Sequence, residues 1–180
     1  MVNRDDSAAP SHGGFVARAW RHLWCDDRTV ARHLTPTVFD AVEQAIADEE
    51  RIHSAELRFV IEADLDMAQL WAGVTPRQRA LDVFASLGVW DTEHNTGVLL
   101  YVLWADHAAE IVADRGIAAR VPQQEWDAVV ASMTRAFAEK RYAEGAVEAV
   151  RRIGALLAER FPATQDAVNP NELPNRPTLL

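Results

Sequence analysis

Cysteine is almost missing from this chain: Cys25 is the only one. That excludes an intrachain disulfide and any metal centre built on several thiolates. A reducing compartment suits such a chain without being demanded by it. Positive charge is short as well, with 18 Lys and Arg against 27 Asp and Glu and a formal charge of −9. Nucleic acid and an anionic membrane surface are poor partners for that balance, because phosphate is bound by Lys and Arg. No apolar run approaches the ~18 residues of a membrane-spanning helix. The first residues, MVNRDDSAAPSHGG, lack the basic-then-apolar order of a secretory signal. The expectation is a soluble, cytoplasmic protein.

Familiar motifs are missing too. The chain contains no G-x-G-x-x-G, no Walker loop, no H-E-x-x-H, no G-x-S-x-G and no paired-cysteine motif. No internal repeat is visible.

What remains is enough for one domain with arms. The chain has 180 residues, 49% of them hydrophobic, with six Trp, so it can bury a proper core. Residues 1–14 read as disordered. Residues 15–35 read as an amphipathic helix and linker, 36–162 as an α/β domain, and 163–180 as an extended Pro-rich tail. In the first helix Phe15, Val16, Ala19, Trp20, Leu23 and Trp24 form one apolar face. Such a helix packs on its own domain, the commoner outcome, or lies on a membrane.

The most apolar stretch, 95–117, organises the domain. Residues 98–104 are apolar throughout, as in a strand covered on both faces. Residues 105–107 form a short turn, and 108–113 run back. A three-residue turn sets Asp114 opposite Val98 and Gly116 opposite Thr96. Upstream, 57–63 alternates, with Leu57, Phe59 and Ile61 on one side and Glu56, Arg58 and Glu62 on a polar side, so it reads as a strand nearer an edge. A helix from Pro36 to about His53 precedes it. Another helix starts at Pro76, with Leu81, Phe84 and Leu87 inside and Gly88 as its stop. That helix lets the first two strands lie parallel. Two more helices follow: one carries Trp126, Val129, Val130, Met133 and Phe137, and one spans 143–161. Gly154 in the latter points to close packing against a neighbour. The fold class is α/β, with a small mixed sheet of one parallel crossover plus an antiparallel hairpin and helices on both faces.

This topology delivers Glu56, Asn95 and Asp114 to one end of the sheet from three distant segments. Two carboxylates and an amide carbonyl are hard oxygen donors, suited to Ca²⁺ or Mg²⁺ rather than zinc or copper. The alternative is a polar sheet end that merely caps turns and helices. His94 and Asp91 are the weak candidates for proton transfer beside Asp114, and no nucleophile is evident. The opposite end carries a second acidic set, Glu62, Asp64, Asp66 and Asp106, where open α/β sheets more often bind ligands. An EF-hand reading fails there: counted from Glu62, Met67 holds the sixth position and Gly73 the twelfth, where Gly and Glu are required. Nine carboxylates between Asp40 and Asp66 read first as a solvated face.

At these residues the chain resembles the TPM domain family, which includes thylakoid-lumen proteins linked to photosystem II repair and many bacterial proteins. The likeness rests on HSAELRFVIEADL, with Glu56 in place and Ala55 where the family has Gly. It rests also on HNTGVLLY, with Thr96 between Asn95 and Gly97, and on ADRGI, with Asp114 and Gly116 as turn and site positions. Trp126 and the closing Phe161-Pro162 and NELP complete it, from Pro36 to the C-terminus. The resemblance implies a Rossmann-like α/β/α sandwich. It implies divalent-cation binding, calcium before magnesium, at Glu56, Asn95 and Asp114, with Gly97 and Gly116 shaping the turns. It also implies either an interaction module, with a membrane or envelope partner of LemA type, or a weak metal-assisted acid phosphatase.

Overall fold

The computed structural model describes residues 12–163 and 172–180. The disorder expected of 1–14 therefore falls, for 1–11, outside the described residues, as does Asn171 of NELP.

Among the described residues the sheet has four strands in the order β3-β2-β1-β4. Strands β1 (Glu56–Glu62) and β2 (Gly97–Leu103) run parallel, Glu56 opposite Gly97 and Glu62 opposite Leu103. Strand β3 (Ala108–Ala113) returns antiparallel to β2. The helices preceding and joining them are α1 (His12–Trp24), α2 (Asp27–His33), α3 (Pro36–Glu49), α4 (Met67–Trp71) and α5 (Pro76–Ser86). Those following β3 are α6 (Arg115–Ala118), α7 (Gln123–Ala138) and α8 (Tyr142–Arg160), before a two-residue β4 (Thr178–Leu179).

Strand alternation divides the core between two faces. Leu57, Phe59, Ile61, Val98, Leu100, Val102 and Ile111 pack under α2, α3, α7 and α8. Val60, Leu99, Tyr101, Leu103 and Val112 pack under α4 and α5, with Phe15 and Ala19 of α1 at the margin. Each fully buried aliphatic chain in these layers contributes about 1.5–3 kcal/mol. The result is the expected α/β/α sandwich on a mixed sheet. Gly154 does allow close packing: a Cβ there would run into the side chain of Glu49 on α3.

Several local expectations are corrected. The hairpin register is shifted by one, Val98 facing Ala113 and Leu103 facing Ala108. The turn holds four residues, 104–107, because Trp104 leaves the strand and His107 takes φ 52°. The third helix stops at Glu49, well before His53, because the chain folds back so that Glu50 can meet the Leu57 N–H at 3.1 Å. Strand β1 is the outermost of the three long strands, β4 covering only Val60 and Ile61, yet Glu56 and Glu62 on its polar side are buried. Leu81 is exposed, and Ala80 and Val83 face the core instead.

The linker expected before residue 36 is largely the helix α2, capped by Asp26, which accepts from Thr29 N–H. The C-terminal tail adds β4 beside Val60 and Ile61. It is held by the Arg58 guanidinium, which donates to the carbonyls of Pro174 and Arg176 and to the Thr178 hydroxyl.

The first helix has a divided apolar face. Phe15 rests on Trp71 with ring centroids 4.9 Å apart, and His22 is buried. Val16, Trp20, Leu23 and Trp24 face outward, with Trp20 and Trp24 stacked at 6.3 Å. No helix among the described residues is long and apolar enough to cross a membrane.

Candidate functional site

The register brings the polar sheet end together. Glu56 opens β1 opposite Gly97, and the Asp114 N–H donates to the Gly97 carbonyl at 2.9 Å. The three residues therefore lie in one row. Alternation places Glu56 and Asp114 on the same face, two strand spacings apart, about 9–10 Å between Cα atoms. Between them a Cβ on Gly97 would collide with the Val89 carbonyl, so only Gly fits.

Asp114 is 6% exposed and caps α6. Its Oδ1 accepts from the Arg115 N–H at 2.6 Å. Its Oδ2 is buried and has no hydrogen-bond partner among the described residues. Glu56, 2% exposed, accepts from the Leu173 N–H at 3.3 Å. Asn95 sits in the left-handed region at φ 54°, its side chain in solvent. Its carbonyl comes within 2.6 Å of where a Cβ on Gly116 would stand, which is why Gly is needed there. Thr96 is buried and structural: its N–H donates to Thr92 Oγ1 at 2.9 Å and its hydroxyl to the Ser54 carbonyl. Asp91 and His94 are both exposed in the loop. The Glu93 N–H is held by Glu172 of the tail at 3.0 Å.

Two neighbouring groups show how dry this end is. Burial pushes the Glu50 carboxyl up to about 8, against the opposing hydrogen bond from Leu57. Burial also pushes the His53 imidazole down to about 4, and its Nδ1 accepts from the Ala55 N–H at 3.3 Å. Glu50 supplies an acceptor to β1 where β4 does not reach. The only hint in the sequence was an acid six residues before a strand.

The opposite end holds Glu62, Asp66 and Asp106 of the second acidic set in separate structural bonds. Glu62 takes a two-pronged bond from Arg79, at 2.7 and 2.8 Å, and one from the Tyr101 hydroxyl at 2.5 Å. Asp66 caps α4 in a reciprocal box with Gln69. Asp106 accepts from Arg18 at 2.7 Å and from His22 Nε2 at 3.1 Å. The Leu65 N–H donates to His22 Nδ1, so the ring proton sits on Nε2. Burial opposes ionisation of Asp106, but the bonds from His22 and Arg18 outweigh it and hold the carboxyl well below the usual range. Burial raises Asp64. His22 had no partner spacing in the sequence, since its partners lie more than 40 residues away.

The donors at the first end fit a hard cation in kind: carboxylate oxygens, one of them orphaned and buried, and nearby main-chain carbonyls. In number they are few. Among the described residues no three of His, Cys, Asp and Glu cluster as a metal cage.

An α/β/α sandwich with a mixed sheet and a polar sheet end is the class this architecture defines. A family model of the TPM domain matches residues 29–156, and the chain belongs to that family. The match starts within α2 and stops within α8. The NMR structure of BA42 protein from the psychrophilic bacterium Bizionia argentinensis is similar, with 30% identity, a TM-score of 0.70, and coverage of 81% of this chain and 94% of that one. The N-terminal domain of cg2496 protein from Corynebacterium glutamicum shares the fold alone, at 12% identity and a TM-score of 0.52, over 74% of this chain and 79% of that one. No curated protein matches.

Proposed function

We propose that this protein is a divalent-cation-binding interaction module, with the cation at the Asp114 end of the sheet. The observation that carries the reading is Asp114 Oδ2, a buried carboxylate oxygen with no donor among the described residues. Leaving such an atom unmet is costly, and a cation meets it directly. Glu56 and the Asn95 segment supply further oxygen. Ca²⁺ is the better fit than Mg²⁺, because it accepts irregular shells that include carbonyls and water, whereas Mg²⁺ demands a near-ideal octahedron. The outward Trp20 and Trp24 support a partner-binding role, and the family resemblance supplies a LemA-type membrane protein as the partner. A Trp20→Ser, Trp24→Ser double variant is expected to lose that partner and keep its fold. A metal-assisted acid phosphatase on the same site is the alternative. It needs a proton donor, and its candidates His94 and Asp91 are both exposed.

Calorimetric titration with Ca²⁺ tests the reading. The expected dissociation constant is on the order of 10⁻⁴–10⁻³ M, weakened at least about tenfold in Asp114→Asn, which keeps the cap on Arg115. Equal binding by both proteins would overturn it. Phosphomonoester hydrolysis that needs Ca²⁺ and is lost in Asp114→Asn would shift the reading to the alternative.

A further inference from the structure

A cavity of about 500 Å³ opens where the hairpin turn meets the α7–α8 junction and the end of α2. It lies at the carboxyl ends of the parallel strands, the end where open α/β sheets commonly receive ligands. Its volume is that of a small-molecule site. Val102, Ala109 and Met133 are among its lining. Four rings make its walls. Trp104 and Tyr142 stand 5.2 Å apart, Phe137 lies 5.4 Å from Tyr142, and His33 stacks on Trp104 at 5.7 Å. All but His33, which is exposed, are half-buried and keep a face for a guest.

The charge of this cavity is unlike that of the chain. In a protein with an excess of acid, the lining among the described residues carries His33, His107 and Lys140 and no Asp or Glu. A second hollow of about 590 Å³ along α7 and α8 has no such bias: Arg135, Arg141 and Arg151 share it with Glu144 and Glu148, and Arg141 is already bonded to Glu144.

Two of the three basic groups sit where side chains are disfavoured. His107 has φ 52° and Lys140 φ 61°. Lys140 ends α7 in the same motif that ends α5: its N–H meets the Phe137 carbonyl, and Arg141 N–H meets that of Ala136. In α5 that position is Gly88, at φ 65°. The chain thus places Lys and His at two left-handed positions where Gly is easiest, and both side chains line one aromatic cavity.

We propose that this cavity binds a small aromatic carboxylate, its ring held among Trp104, Phe137 and Tyr142 and its carboxylate by Lys140 with His107 and His33 at the rim. An aromatic cage alone attracts cations. The basic rim and the lack of a lining carboxylate reverse that preference. The site is remote from Asp114 and stands independently of the cation reading.

The experiment is titration of the full chain with naphthalene-2-carboxylate, watched by amide chemical shifts. Its neutral carboxamide and the naphthylmethyl-trimethylammonium ion serve as matched probes. The carboxylate is expected to bind most tightly, with shifts centred on 102–109 and 133–142. Lys140→Gly, which relieves the backbone and so does not endanger folding, is expected to weaken the carboxylate roughly fivefold to tenfold and to leave the carboxamide unchanged. Tighter binding of the ammonium ion, equal binding of carboxylate and carboxamide, or an unchanged affinity in Lys140→Gly would overturn the proposal. So would shifts centred outside that cavity.

Discussion

The two ends of the sheet bury carboxylates to a similar degree and satisfy them differently. At the hairpin-turn end Glu62 and Asp106 meet guanidinium groups of Arg79 and Arg18. At the other end Asp114 and Glu50 meet main-chain N–H groups of Arg115 and Leu57. The consequence is visible in their acidity. Asp106 is held below the usual range, while Glu50 is pushed up to about 8. The chain's own cations close one end electrostatically. The other is held by dipoles, and there a cation from solvent has something to add.

Removing an acid from the closed end should cost most. Asp106→Ala leaves Arg18 partly buried with only the Val74 carbonyl to meet it, and a loss of about 2–4 kcal/mol is expected in urea unfolding. Asp114→Asn, which keeps its cap, should cost no more than about 1 kcal/mol without added cation. Equal costs would break the comparison.

Gly97→Ala should come next, at about 2–3 kcal/mol, because the new methyl group meets the Val89 backbone rather than a movable side chain. A near-neutral result would mean that Val89 does not wedge between Glu56 and Asp114.

Glu50 gives the contrast in pH. Its folded pKa, about 8, lies above its ordinary 4.5. Its contribution is therefore fully present below pH 4.5 and is lost as pH rises through 8. Glu50→Gln keeps an oxygen for Leu57 and removes the charge. It is expected to stabilise the fold by on the order of 2 kcal/mol at pH 9 and to change little at pH 4. A variant that tracks the parent at every pH would show that Glu50 is not buried as described. The smallest effect is Lys140→Gly, expected to raise stability by about 0.5–1 kcal/mol.

Much of this was legible in the sequence, for local reasons. Uniform apolarity in 98–103, Pro36 and Pro76 at helix starts, Gly88 at a stop, and the 3–4 spacing of Trp126, Val129 and Met133 each act over a few residues. That Glu56 and Asp114 come to one end of the sheet followed from topology; the register that sets Asp114 opposite Gly97 did not. What was hidden is held by distant partners. Strand β4 has two residues and depends on Arg58, about 120 positions away. Helix α2 buries only Val30, too little for a period to show. The hairpin register turned on whether Trp104 stays in the strand, and its place among His33, Phe137 and Tyr142 draws it out. The burial of His22 and the role of Glu50 are likewise tertiary.

The most direct test follows amide resonances through a titration of the full chain with Ca²⁺ to millimolar concentration, with Mg²⁺ as the comparison. Shifts gathered on 92–97 and 114–117, stronger with Ca²⁺ and abolished by Asp114→Ala, are the predicted result. Shifts confined to surface acids such as Asp40 and Glu43, or unaltered by that substitution, would contradict it.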